Sequence, residues 1–79
     1  MMLDQAALLE NVRRISGLNG ETSADTLLFS SGALDSLAML SLIGLVEQMA
    51  GIQINAEDVT LDNFDSVARI ARFANARAA

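Results

Sequence analysis

The 79-residue chain contains no cysteine, histidine, proline, tryptophan, tyrosine or lysine; its only cations are five arginines. Without Cys and His there are no thiol or imidazole nucleophiles, no disulfides and none of the usual zinc, copper or haem ligands. A self-contained catalytic triad cannot be written, and the length allows one modest core but not a core plus a deep catalytic cleft. The missing cysteine fits a reducing cytosol, although a Cys-free chain would survive either compartment. With no proline, many Ala and Leu and 52% hydrophobic residues, the composition favours helices over disorder, so an all-α helix bundle is the expected class.

Positive charge is also missing over a long stretch. The arginines stand at 13, 14, 69, 72 and 77; between Ile15 and Ala68 there are eight acidic residues and no basic one, within an overall formal charge of −5. Such a field repels nucleic acid and anionic membranes and steers a basic partner surface toward the middle of the chain, though a solubilising surface alone would look the same. Met1-Met2-Leu3-Asp4 lacks the basic start and apolar block of a signal peptide, and the uncharged run Ser36 to Val46 is too short to span a membrane. The expectation is a cytoplasmic monomer with no nucleic-acid or membrane partner.

Helical spacing of Leu8, Leu9, Val12 and Ile15 predicts a first helix over about 4–16, with Arg13 and Arg14 in its last turn and Gly17 as its stop. Residues 18 to 35 have no period and carry turn chemistry at Asn19-Gly20, Thr22-Ser23 and Ser30-Ser31-Gly32. A loop this long must pack with its own side chains or serve a function, and Leu27, Leu28 and Phe29 are read as its anchors. A second helix is predicted over 36–50, stopped by Gly51. At 100° per residue it places Leu42, Val46, Met49, Leu45, Met39 and Ala38 inward and Ser36, Leu37, Leu40, Ser41, Gly44, Glu47 and Gln48 outward. Ile52-Gln53-Ile54 reads as an extended connection that buries Ile54, and Asn55 as the cap of a short third helix over 56–61. The last helix is predicted over 65–76, with Val67, Ile70, Ala71, Phe73 and Ala74 inward and Arg69, Arg72 and Arg77 in water.

The centre of this organisation is Gly32-Ala33-Leu34-Asp35-Ser36-Leu37. Asp35 is a good N-cap, which sets the Ser36 hydroxyl in the first turn of a helix, at the positive end of the macrodipole and among unpaired N–H groups that favour a phosphate ester. Leu37 and Leu40, with the small residues Ser41 and Gly44, form a shallow apolar strip suited to docking. Asp65-Ser66-Val67 imitates the Asp-Ser-Leu pattern but lacks the preceding Gly and Leu and the apolar outer face, so it reads as an ordinary cap with Ser66 unmodified.

Leu28-Phe29, Gly32, Leu34-Asp35-Ser36-Leu37 and the helix that follows resemble the phosphopantetheine-attachment motif of acyl and peptidyl carrier proteins, and the resemblance covers nearly the whole chain. It implies a four-helix bundle of the acyl-carrier type, with a long loop between helices 1 and 2 and a short third helix. It implies 4′-phosphopantetheine transferred from coenzyme A to Ser36, with Asp35 as helix cap and motif residue, and an acyl or aminoacyl cargo held as a thioester on the arm. The partners it implies are a phosphopantetheinyl transferase, a loading adenylation enzyme or acyltransferase, and a downstream synthase or transferase. The carrier itself would be non-catalytic, and contact residues are expected at Leu37, Leu40, Ser41, Gly44 and Glu47. The ends carry no linker composition, which suggests a single, discrete carrier domain over 1–79.

The chain departs from the family pattern at Asn55, where many members have Pro, and at Ala50, where a large aromatic often precedes the Gly. Its second helix has Glu47 as its one acid. Fatty-acid carriers have an acid-rich second helix, so the outer face is more similar to carriers of polyketide or nonribosomal-peptide metabolism. The alternatives are a fatty-acid synthesis carrier and, in another class, an unmodified helical adaptor that binds partners through Leu37 and Leu40.

Overall fold

The computed structural model describes residues 3–16 and 22–78. Among the described residues four α-helices follow one another: α1 (Gln5–Ser16), α2 (Ser36–Ala50), the one-turn α3 (Leu61–Phe64) and α4 (Val67–Ala78), with a 3-10 turn at Ala56–Asp58 before α3. No strand occurs among the described residues. The all-α, carrier-type bundle expected from the sequence is the fold found, long first loop and short third helix included. The Gly17 stop, Leu18 and the Asn19-Gly20 turn lie outside the described residues.

Each helix begins where a side chain can take its first free N–H groups. Asp4 accepts from the Ala6 N–H (3.1 Å) at the start of α1, Asp35 from the Ala38 N–H (2.9 Å) at α2, and Thr60 from the Asn63 N–H (3.2 Å) at α3. These bonds satisfy donors that have no intrahelical partner. Gly51 ends α2 in the left-handed region (φ 68°), where its N–H reaches the Glu47 carbonyl at 2.9 Å, a conformation that costs residues with a Cβ.

The core is assembled from one face of each long helix. Leu8 and Val12 of α1, Leu42, Val46 and Ala50 of α2, Phe64 of α3, and Val67, Ile70, Ala71 and Ala74 of α4 are buried together. Helix α4 packs against all three others, and α1 against α2. Asn75 ties the chain start to α4: its Oδ1 accepts from the Leu3 N–H (2.6 Å) and its Nδ2 donates to the Leu3 carbonyl (3.2 Å).

Several expectations shift. Ile15 and Leu27 are exposed, and Phe73 is only half-buried because its ring carries the Arg77 guanidinium at 5.1 Å and tilts against Phe64 at 5.7 Å. The helix predicted over 56–61 splits into two short turns. The 3-10 turn is closed by the Asp58 carboxylate, which accepts from the Asn55 N–H at 2.9 Å and pairs with Arg77 at 2.7 Å. Thr60 is extended (φ −127°, ψ 162°) and restarts the helix as the α3 cap. The last helix opens at Val67 rather than 65, because Asp65 closes α3 and Ser66 accepts from the Arg69 N–H at 3.1 Å.

Gly44 lies on the exposed face of α2, and a Cβ there would meet no atom within 4 Å. Gly44→Ala should therefore stabilise the fold by about 0.5–1 kcal/mol through helix propensity alone. In thermal denaturation that gain corresponds to a rise of roughly 2–8 °C for a domain of this size.

Candidate functional site

Ser36 is the first residue of α2 and is exposed. Asp35 precedes it in an extended conformation (φ −105°, ψ −174°), with its carboxylate turned onto the Ala38 N–H and its carbonyl accepting from Met39 N–H at 3.0 Å. The N–H groups of Ser36 and Leu37 and the Ser36 hydroxyl have no partner among the described residues. They point free hydrogen-bonding capacity outward from the positive end of a 15-residue helix.

The loop before Ser36 is held from the far side of the fold. Leu28 is buried, and its N–H donates to the Asp65 carbonyl at 2.8 Å. Asp65 Oδ1 accepts from the N–H groups of Phe29 (2.8 Å) and Ser30 (3.0 Å), and Oδ2 accepts from the Ser30 hydroxyl (2.6 Å). Gly32, at φ 82°, turns the chain back with its N–H on the Phe29 carbonyl (3.0 Å), and Leu34 N–H closes on the Leu28 carbonyl (2.8 Å). Leu34 is buried, so the residue two before Ser36 is fixed by packing as well as by a bond.

A groove of about 640 Å³ opens beside Ser36. Phe29 and Leu34 of the loop, Met39, Leu40 and Ile43 of α2, and Ala56 and Val59 around the 3-10 turn line it, with Asp35 and Ser36 at one end. Its walls are apolar, as suits a chain of carbon atoms more than a polar ligand. On the other side of Asp35 a smaller cleft of about 280 Å³ lies between Ile15 and Gly32, Ala33, Leu34 and Ala38.

Of the outward residues named from the sequence, Leu37 and Leu40 are exposed by 74% and 67%, and Ser41 and Gly44 are also exposed. Glu47 is only half-exposed, and its Oε2 accepts from the Ile54 N–H at 2.8 Å, so the carboxylate pins the connection after α2. The groove was not foreseen. Ile43 follows Met39 by four positions and Ser36 by seven, a spacing that puts all three along one flank of α2. The contribution of Ala56 and Val59 has no comparable signal.

A family model described as the phosphopantetheine attachment site matches residues 6–74, and the chain belongs to that family. Its members bind 4′-phosphopantetheine covalently on a serine, which makes this chain a phosphopantetheine-carrying carrier protein. Such carriers are generally non-catalytic and work with a phosphopantetheinyl transferase and with loading and downstream enzymes. A search of curated proteins returned no match. Among the described residues no helix is long and apolar enough to cross a membrane.

Two aspartates that brace the site have perturbed acidities. Burial pushes Asp65 up, but the bonds from the Ser30 hydroxyl and the Ser30, Phe29 and Leu28 backbone together outweigh it and hold the carboxyl below the ordinary aspartate value. The Arg77 hydrogen bond, then the Asn55 N–H, lowers Asp58 in the same direction. Both carboxyls bind a proton less readily folded than unfolded, so unfolding takes up protons and acid favours the unfolded chain. Their contribution is fully present above the unfolded value and is lost as pH falls through the folded ones. The melting temperature should thus be insensitive to these groups above about pH 5 and fall below about pH 4. Asp58→Asn combined with Asp65→Asn should flatten that acid limb in calorimetric scans from neutral pH downward.

Proposed function

We propose that Ser36 is the attachment serine and that the chain, acting as a single carrier domain, holds an acyl or aminoacyl intermediate of polyketide- or nonribosomal-peptide-type metabolism. The observation that carries the reading is the exposed, unpartnered Ser36 hydroxyl at the N-terminus of α2, in the one Gly-x-Leu-Asp-Ser-Leu sequence of the chain. Ser66, the rival in Asp65-Ser66-Val67, is buried and occupied in capping α4.

The residues suit a phosphodiester-linked arm. Free N–H groups of Ser36 and Leu37 and the helix dipole favour the phosphate, while Asp35 spends its charge on the Ala38 N–H. In the modification, attack by the Ser36 oxygen on the coenzyme A phosphorus would form the O–P bond as the P–O bond to the nucleotide half breaks and that half leaves. The hydroxyl proton would pass to a base the transferase brings, since no base among the described residues is hydrogen-bonded to Ser36. When bound, the arm supplies a terminal thiol that carries the cargo as a thioester. The chain's role is then to present a tethered intermediate at high effective concentration to each partner.

Specialised metabolism is favoured over fatty-acid synthesis by α2 itself. Its single acid, Glu47, is engaged by Ile54, whereas Leu37 and Leu40 stand in solvent. Docking on such a surface would rest on apolar contact more than on a rank of carboxylates. We assign that contact to Leu37, Leu40, Ser41 and Gly44, with Glu47 at the strip's edge.

Intact-protein mass spectrometry after incubation with coenzyme A and a broad-specificity phosphopantetheinyl transferase should show a gain of one phosphopantetheine in the wild type and none in Ser36→Ala. A folded wild type that gains nothing would overturn the reading in favour of an unmodified adaptor. Leu40→Glu should keep the circular-dichroism spectrum while slowing loading by the partner enzyme roughly ten-fold or more, as loss of a central apolar contact does. Loss of helical signal would instead place Leu40 in the core.

A further inference from the structure

We propose that Asp65 is a positioning residue for modification of Ser36, acting through the loop 28–34; the proposal rests on the reading of Ser36 as the attachment serine. Asp65 is 3% exposed, yet its three side-chain bonds all go to one segment, Phe29 and Ser30, some 35 residues earlier in the chain. None of them serves α3 or α4, whose caps are supplied by Thr60 and Ser66. The carboxylate therefore does nothing for its own helices.

From Asp65 the restraint runs to Ser36 without a gap. The carboxylate fixes Phe29 and Ser30, the Asp65 carbonyl fixes Leu28, the Leu28 carbonyl takes the Leu34 N–H, and Leu34 leads into the Asp35 cap. Phe29 and Leu34, held this way, are also the loop's share of the groove wall beside Ser36. Without the carboxylate, the half-buried Phe29 N–H would lose its partner and the two donors of the exposed Ser30 would turn to water, so the loop would shift from its place to satisfy them. The residues leading into Ser36 would leave with it, whereas α2 keeps Leu42, Val46 and Ala50 in the core and its outer strip in place.

The experiment compares wild type, Asp65→Ala, Asp65→Asn and Ile70→Val as substrates of a broad-specificity phosphopantetheinyl transferase, at a temperature where all four are folded by circular dichroism. If Asp65 positions Ser36, Asp65→Ala should lower kcat roughly ten-fold with KM little changed, because misalignment of the reacting atom slows the bound complex. Asp65→Asn should restore most of the rate, since its carbonyl oxygen can still accept from the Phe29 and Ser30 N–H groups and its amide can donate to the Ser30 hydroxyl. A purely structural role predicts another pattern: once all four proteins are folded, kcat and KM both stay close to the wild-type values. Ile70→Val, a core change on α4 that removes no hydrogen bond to the loop, supplies the reference for that pattern. An Asp65→Ala variant that follows Ile70→Val, or one modified as fast as wild type, overturns the proposal. A folded wild type that is not modified overturns the assignment of Ser36 instead, which separates the two failures.

Discussion

The structure depends on how an irregular segment is held across a small helical bundle. Helices satisfy their own backbone, but a loop laid over a core must find partners for every N–H and C=O that it takes out of water. Here Asp65 supplies most of those partners at the critical point, receiving the Leu28 N–H on its carbonyl and the Phe29 and Ser30 donors on its carboxylate. With the backbone satisfied, Leu28 can be fully buried, and the loop becomes part of the core.

That arrangement explains why Ser36 is accessible and yet well placed. Its hydroxyl has no role in packing or capping, since Asp35 caps α2 and Leu34 fills the space beneath. The division of labour among adjacent residues is strict: the first is buried, the second binds the helix end, and the third is left exposed. Ser66 occupies the formally similar place after Asp65, but there the serine caps the helix and the aspartate faces the loop. The same dipeptide has its roles exchanged by the surrounding fold.

Much of this was legible in the sequence because helices announce themselves by period and punctuation. The inward residues of α2 and α4, the Asp35 cap and the Gly51 stop follow from spacing and from the few residues that tolerate those positions. The exposed Leu37 and Leu40 were legible for the same reason. What was hidden depends on long-range pairing. Nothing local says that Asp65 reaches residues 29 and 30, because an aspartate before Ser-Val is equally good as a cap. The break between the 3-10 turn and α3 was hidden likewise, since Asp58 is held by Arg77 across 19 positions. The groove combines both effects, with one wall on α2 that period could reveal and another, Ala56 and Val59, that only the folded chain brings near.

The acidic middle of the chain and the apolar strip on α2 act at different distances. Eight acidic residues with no basic one between Ile15 and Ala68 produce a field felt over roughly a Debye length, about 8–10 Å. Such a field sets approach and orientation more than residence time. Leu37 and Leu40 act only on contact, through area removed from water, and contribute nothing to the isolated domain while exposed. A carrier that must visit several enzymes in turn needs fast encounter and ready release, and this separation meets both needs. On the proposed docking role, the field would gather basic surfaces from a distance and the small strip would give each of them a brief hold beside Ser36. With only one acid on α2, and that acid engaged by Ile54, neither function has to be performed by the same residues.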